Sequence, residues 1–203
     1  MNLDIFHTDD IRVEYCDNNR RDIQRVLDEC REERRPYVII KNECSAQQSC
    51  CSEVQKGLSR ILVPVSMLEE EVYKAEICTY LARKTGAHLI LLRANDYGNK
   101  AKQNIQRIIT HILSISDRTG MPISYEERVA KGDSFHIHKE LHEYASLSVN
   151  EEKTGIDLIL LTASREYGLD DWLFGPPEQY IIRKSLVPVM LINPRADLFS
   201  LCD

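Results

Sequence analysis

The sequence predicts an α/β fold: a doubly wound, five-stranded parallel sheet preceded by a strand–helix–strand extension. Three observations lead there. Short continuous apolar runs, such as Ile61–Val65, have the composition of strands buried on both faces of a parallel sheet. Helical stretches with one apolar face alternate with those runs, as right-handed crossovers require. The length of 203 residues fits one large domain with an appendage, long enough to bury roughly 70% of its unfolded surface without staples.

The extension comes first. Ile11, Val13 and Tyr15 alternate as in a strand. Ile23, Val26, Leu27 and Cys30 share one helical face, and Tyr37-Val38-Ile39-Ile40 is a β-rich run after Pro36. A unit this small cannot bury both faces alone, so it must pack on the rest of the chain, on a second subunit or on a partner. A polar segment rich in Cys, Ser and Gln follows and reads as a linker. The expected organisation is therefore an extension over 1–41, a linker over 42–58 and a main domain over 59–203.

The main domain opens on Ile61–Val65. Ser66 is a good helix cap, and Glu69 three residues later completes a capping box. Glu69, Glu70 and Glu71 suit the positive end of that helix, while Lys84 and Gly86 signal its stop. His88–Leu92 is a second buried strand. Ile105, Ile108, Ile109, Ile112 and Ile115 form the stripe of a long helix stopped at Gly120. Ile123, Tyr125 and Val129 suit a half-exposed edge strand. Gly132-Asp133-Ser134 opens another helix, Asp157–Leu161 is a buried strand, Pro176 and Pro177 fit a first helical turn, and Val187–Ile192 closes the sheet. In such sheets ligands sit beyond the strand C-termini where strand order reverses, which here means Val65–Ser66 and Leu161–Arg165.

Composition excludes several classes of function. Lys and Arg number 26 against 32 Asp and Glu, a net charge of -6. Nonspecific binding to nucleic acid or anionic lipid needs a net basic face. The longest apolar run falls far short of the ~20 residues of a membrane span, and Met1–Phe6 lacks the basic and apolar regions of a secretory signal, so a cytoplasmic location is expected. Seven cysteines, an odd number, fit reduced thiols better than a disulfide framework.

From Ser59 to Pro194 the chain resembles the universal stress proteins. Ile61-Leu62-Val63-Pro64-Val65 matches the family's first strand, Asp157-Leu158-Ile159-Leu160-Leu161 the fourth and Pro188-Val189-Met190-Leu191-Ile192 the last. Gly132-Asp133 stands where the family has Gly-Asp before its third helix. The resemblance implies an adenine-nucleotide alpha-hydrolase-like sheet with strand order 3-2-1-4-5. It also implies a motif in nucleotide-binding members, Gly-x2-Gly-x9-Gly-[Ser/Thr], after the fourth strand. Here that spacing falls on Thr162, Arg165 and Gly175-Pro176. Side chains replace two glycines that let the backbone approach phosphates, and Pro176 has no N–H to donate. Ser66 stands where binding members end the first strand in Asp, and Met67 and Leu68 replace the small residues that follow.

These substitutions predict a module of the type that does not bind ATP, with Ser66, Thr162, Arg165 and Gly175 as degenerate pocket positions and no cofactor. Trp172 and Phe174 lie in the loop expected to cover that pocket. No catalytic constellation is present: neither a Gly-x-Ser-x-Gly elbow nor a Walker loop occurs, so an enzyme is not expected. His138 and His142 lie at i, i+4 near His136, but Lys139 replaces the Glu of His-Glu-x-x-His and no further ligand is evident, so no metal site is expected. Cys44, Cys50 and Cys51 do not have zinc spacing; they read as incidental thiols of a polar linker, with a redox or metal sensor as an alternative. A nucleotide- or metabolite-sensing domain with a divergent pocket is a further alternative. The expected partner is a second copy, paired antiparallel through Val187–Ile192, which family members commonly use and which no Lys or Arg protects. Tyr37–Ile40 is the competing cover for the same edge.

Overall fold

The computed structural model describes residues 11–17, 19–33, 36–41, 57–147, 155–163 and 177–193. The extension forms β1 (Arg12–Cys16), α1 (Arg20–Glu32) and β2 (Tyr37–Lys41). Asn19 caps α1, its side-chain oxygen accepting from the Asp22 N–H at 2.8 Å. The predicted stripe of Ile23, Val26, Leu27 and Cys30 is fully buried.

The main domain forms β3 (Arg60–Val65), a 3-10 helix (Glu69–Tyr73) that runs into α2 (Lys74–Thr85), β4 (His88–Arg93), α3 (Asn99–Arg118), β5 (Tyr125–Val129), α4 (Ile137–Leu147), β6 (Leu158–Thr162), α5 (Pro177–Lys184) and β7 (Val189–Ile192). Asp157 fastens the start of β3, its carboxylate accepting from the Ser59 and Arg60 N–H groups at 2.8 Å each. Gly86 ends α2 at φ 72°, a left-handed conformation that costs a side-chain-bearing residue ~1–2 kcal/mol. The isoleucine stripe of α3 is buried against the sheet as expected.

Seven strands make one mixed sheet in the order β1-β2-β7-β6-β3-β4-β5, which corrects the expected sheet of five parallel strands with a separate extension. The strands of the main domain remain contiguous within it. The extension adds β2 to the outer side of β7, antiparallel, with Val38 opposite Met190, and adds β1 beyond it in parallel. β7 is therefore an interior strand and not the margin of the sheet. The cause is chemical: β7 offers an apolar strand with unpaired backbone groups, and Tyr37-Val38-Ile39 satisfies them and buries its own side chains in doing so. β1 and β5 form the sheet's two ends. Among the described residues, no helix is long and apolar enough to cross a membrane.

Candidate functional site

β3 lies between β4, the next strand in sequence, and β6, reached only after two further crossovers. The strand order reverses there, so the crevice beyond Val65 and Thr162 is the fold's switch point. On its β3 side the chain's own polar groups pair with one another. Ser66 is 5% exposed, and its N–H donates to Glu71 Oε2 at 3.4 Å, while its Oγ accepts from the Leu68 N–H at 3.4 Å. Glu71 is buried beside Lys74, which is 1% exposed; the Lys74 ammonium pairs with the Glu71 carboxylate and donates to the Pro64 carbonyl.

The expected Ser66–Glu69 capping box is thereby corrected. Leu68 is extended, at φ -69° and ψ 139°, and delays the helix. It is Glu71, not Glu69, that reaches back to Ser66. The short helix bearing Glu71 lies close to both β6 and α3 on the β3 side of the crevice. An acid on this turn was expected only to favour the helix dipole; the signal missed was Lys74, three residues on, which turns an exposed charge into a buried pair.

A second set of contacts straps the same turn to the neighbouring loops. Asp96, 8% exposed at the end of β4, accepts from Ser134 Oγ at 2.6 Å and from the Ser134 N–H at 3.2 Å. Ser134 Oγ in turn accepts from the Met67 N–H at 2.8 Å, and Asn104 of α3 donates to the Met67 carbonyl at 3.3 Å. The segment after β3 is thus held on both sides by buried or half-buried polar groups, each with a partner. Sequence reading missed Asp96 and Ser134, whose pairing is long-range.

Thr162 closes β6 with its Oγ1 buried and, among the described residues, without a hydrogen-bond partner. Arg165, Trp172, Phe174, Gly175 and Pro176 lie outside the described residues, as do Cys44, Cys50, Cys51 and Cys202. A groove of about 750 Å³ opens beside the site, lined by Met67, Leu68, Glu69, Tyr73, Lys100 and Asn104. It lies between the turn and the start of α3; neither Ser66 nor Thr162 lines it.

His136 and His138 have separate neighbours. His136 Nδ1 lies 2.7 Å from Asp133 Oδ1, whose carboxyl is held below its usual range by that contact. His138 packs edge-on against Tyr180, and burial lowers its pKa, helped by Lys139 and His136. The side chain of His142 lies outside the described residues. Among the described residues no three His, Cys, Asp or Glu side chains group as metal ligands do. Cys16, Cys30 and Cys78 are buried; burial pushes the Cys16 thiol up to about 11 and the Cys78 thiol up to about 12.

A parallel-dominated α/β sheet with its switch point beyond β3 and β6 is the class of architecture from which the universal stress proteins are built. The model of the Universal stress protein family matches residues 57–193, and the chain belongs to that family. No curated protein is significantly similar to it. Among solved structures it resembles a universal stress protein from Archaeoglobus fulgidus DSM 4304, with a TM-score of 0.60 and 14% identity over 93% of this chain. The chain spans 62% of the length of that protein. It also resembles a universal stress protein solved in complex with cAMP, with a TM-score of 0.51, at 14% identity over 69% of this chain and 100% of the other. At these identities the likeness is one of fold.

Proposed function

We propose that the chain is a stress-related regulatory module that acts by protein contact, without binding ATP and without catalysis. The observation that carries this reading is the engagement of the Ser66 N–H and the Pro64 carbonyl, at the end of β3, by the chain's own Glu71 and Lys74. A phosphate cradle needs several backbone N–H groups aimed at open space. Here the Ser66 N–H is engaged by the chain's own carboxylate and is not open to a phosphate. The residues at the motif positions support the same reading, because Thr162 and Arg165 carry side chains where glycine admits phosphate, and Pro176 has no N–H. A cytoplasmic location belongs to this reading, since Cys16 and Cys78 are buried thiols and suit a reducing compartment.

One observation favours a second reading, a metabolite-sensing domain with a divergent pocket. Thr162 Oγ1 is a buried hydroxyl with no partner among the described residues, and a small ligand with a polar group would satisfy it. Native mass spectrometry of the purified chain separates the two. The first reading expects the bare polypeptide mass. A stoichiometric adduct with the mass of an adenine nucleotide would overturn it, and a stoichiometric adduct of any other small molecule would favour the second.

A further inference from the structure

We infer that residues 11–41 are a second, abbreviated copy of the β6–α5–β7 half of the domain, docked on it about a local two-fold axis, so that the chain supplies in cis the partner that its last strand is shaped to receive. The inference does not depend on whether the switch point binds a nucleotide.

The strand order β1-β2-β7-β6 reads the same from either end: a parallel pair, an antiparallel seam, a parallel pair. α1 and α5 touch each other across that seam. In the seam Tyr37 lies opposite Leu191, Val38 opposite Met190 and Ile39 opposite Val189. A two-fold axis through the Val38–Met190 pair therefore exchanges Tyr37 with Val189 and Ile39 with Leu191, positions 152 apart like Val38 and Met190 themselves. The same spacing of 152 relates the flanking chain: Glu32 and Lys184 end the two helices, Pro36 and Pro188 precede the two strands, and Lys41 and Asn193 stand at or just past their ends.

The hydrogen bonds repeat with the chain. Glu33 N–H closes α1 on the Glu29 carbonyl at 2.8 Å, and Ser185 N–H closes α5 on the Ile181 carbonyl at 2.8 Å. The Pro36 carbonyl accepts from the Arg12 N–H at 2.9 Å, and the Pro188 carbonyl from the Ile159 N–H at 3.1 Å. Across the seam each unit reaches the helix end of the other, though the accepting carbonyls are not 152 apart. Asn193 Nδ2 donates to the Cys30 and Glu33 carbonyls at the end of α1, at 2.6 and 2.8 Å, while Lys41 Nζ donates to the Arg183 carbonyl at the end of α5, at 3.2 Å. A patch that meets its own equivalent in this way is the mark of an isologous interface. Two unrelated strand–helix–strand units set side by side would share a right-handed crossover. They would not share one spacing across helix end, proline, strand and the residue that reaches over the seam. The seam is closed as a core is, with Tyr37, Val38, Val189 and Met190 each at most 1% exposed. The partner that fits the outer side of β7 is thus another β–α–β unit of this kind, and a second copy of the chain can take that place only by displacing the first 41 residues.

The full-length chain tests this. Oxidation of the Val38→Cys/Met190→Cys variant should close a link inside one chain, because opposed Cα atoms of an antiparallel pair lie roughly 4.5–5.5 Å apart, within disulfide reach. Met190→Cys alone should form no covalent dimer, and in the unmodified chain the hydrogen-exchange protection of Val189–Ile192 should be the same at roughly 1 and 100 μM. A covalent dimer linked through position 190 in the single variant, or protection that falls roughly tenfold or more on dilution, would place a second copy on β7 and overturn the inference. Dimers that sediment with the 38–190 link intact within each chain would use another surface and uphold it.

Discussion

Lys74 shows how one buried charge depends on its partner. Its stem is buried and its ammonium meets Glu71 and the Pro64 carbonyl, so both charges are desolvated together. Removing one partner of such a pair strands the other, at a cost of about 3–5 kcal/mol, whereas replacing both by apolar or neutral groups of similar shape is often near neutral. Lys74→Met should therefore destabilise the fold by about 3–5 kcal/mol in urea unfolding, and Glu71→Gln/Lys74→Met should recover most of that loss. Equal, additive losses from the two changes would show that the pair is not coupled. The buried thiols make a second test. With Cys16 raised to about 11 and Cys78 to about 12, both are protonated at neutral pH, and the thiolate is the reactive species. Iodoacetamide at about pH 8 should leave both unmodified in the native chain and label both in guanidinium, by peptide mass mapping. Rapid native labelling of either would show that it is not enclosed.

At the scale of elements, legibility follows whether a signal is local. The α3 stripe, the Gly86 stop and the extended runs of β3, β4 and β6 were readable because each depends on residues within a turn or two. The start of the helix after β3 was not. Ser66 and Glu69 have the spacing of a capping box, but Leu68 stays extended and the buried Glu71–Lys74 pair fixes the turn instead. A capping box competes only with water, whereas a buried ion pair under a strand end must be satisfied or not form at all. Ser134 and Asp96 were invisible for a related reason, since their contact joins loops 38 residues apart in sequence. The same holds for Asn193, whose amide is explained only by the end of α1.

Over the whole molecule, the sequence carried the α/β class and the strand–helix–strand character of the extension but not the sheet they make together. Whether β7 met a second copy or Tyr37–Ile40 could not be decided from hydrophobic pattern, because both covers are apolar and both satisfy the same backbone groups. In the structure β2 lies on β7, and β1 and β5 are the ends of a seven-stranded sheet. The candidate site was legible in part: Ser66 and Thr162 do stand at the switch point, while Arg165 and Gly175 lie outside the described residues. The central proposal is that the chain's own Glu71–Lys74 pair holds the β3 side of the switch point and that the domain does not bind ATP. Calorimetric titration with Mg-ATP tests it most directly. The account predicts no saturable heat up to millimolar nucleotide; a stoichiometric isotherm with a dissociation constant at or below about 10 μM, near -7 kcal/mol, would contradict it.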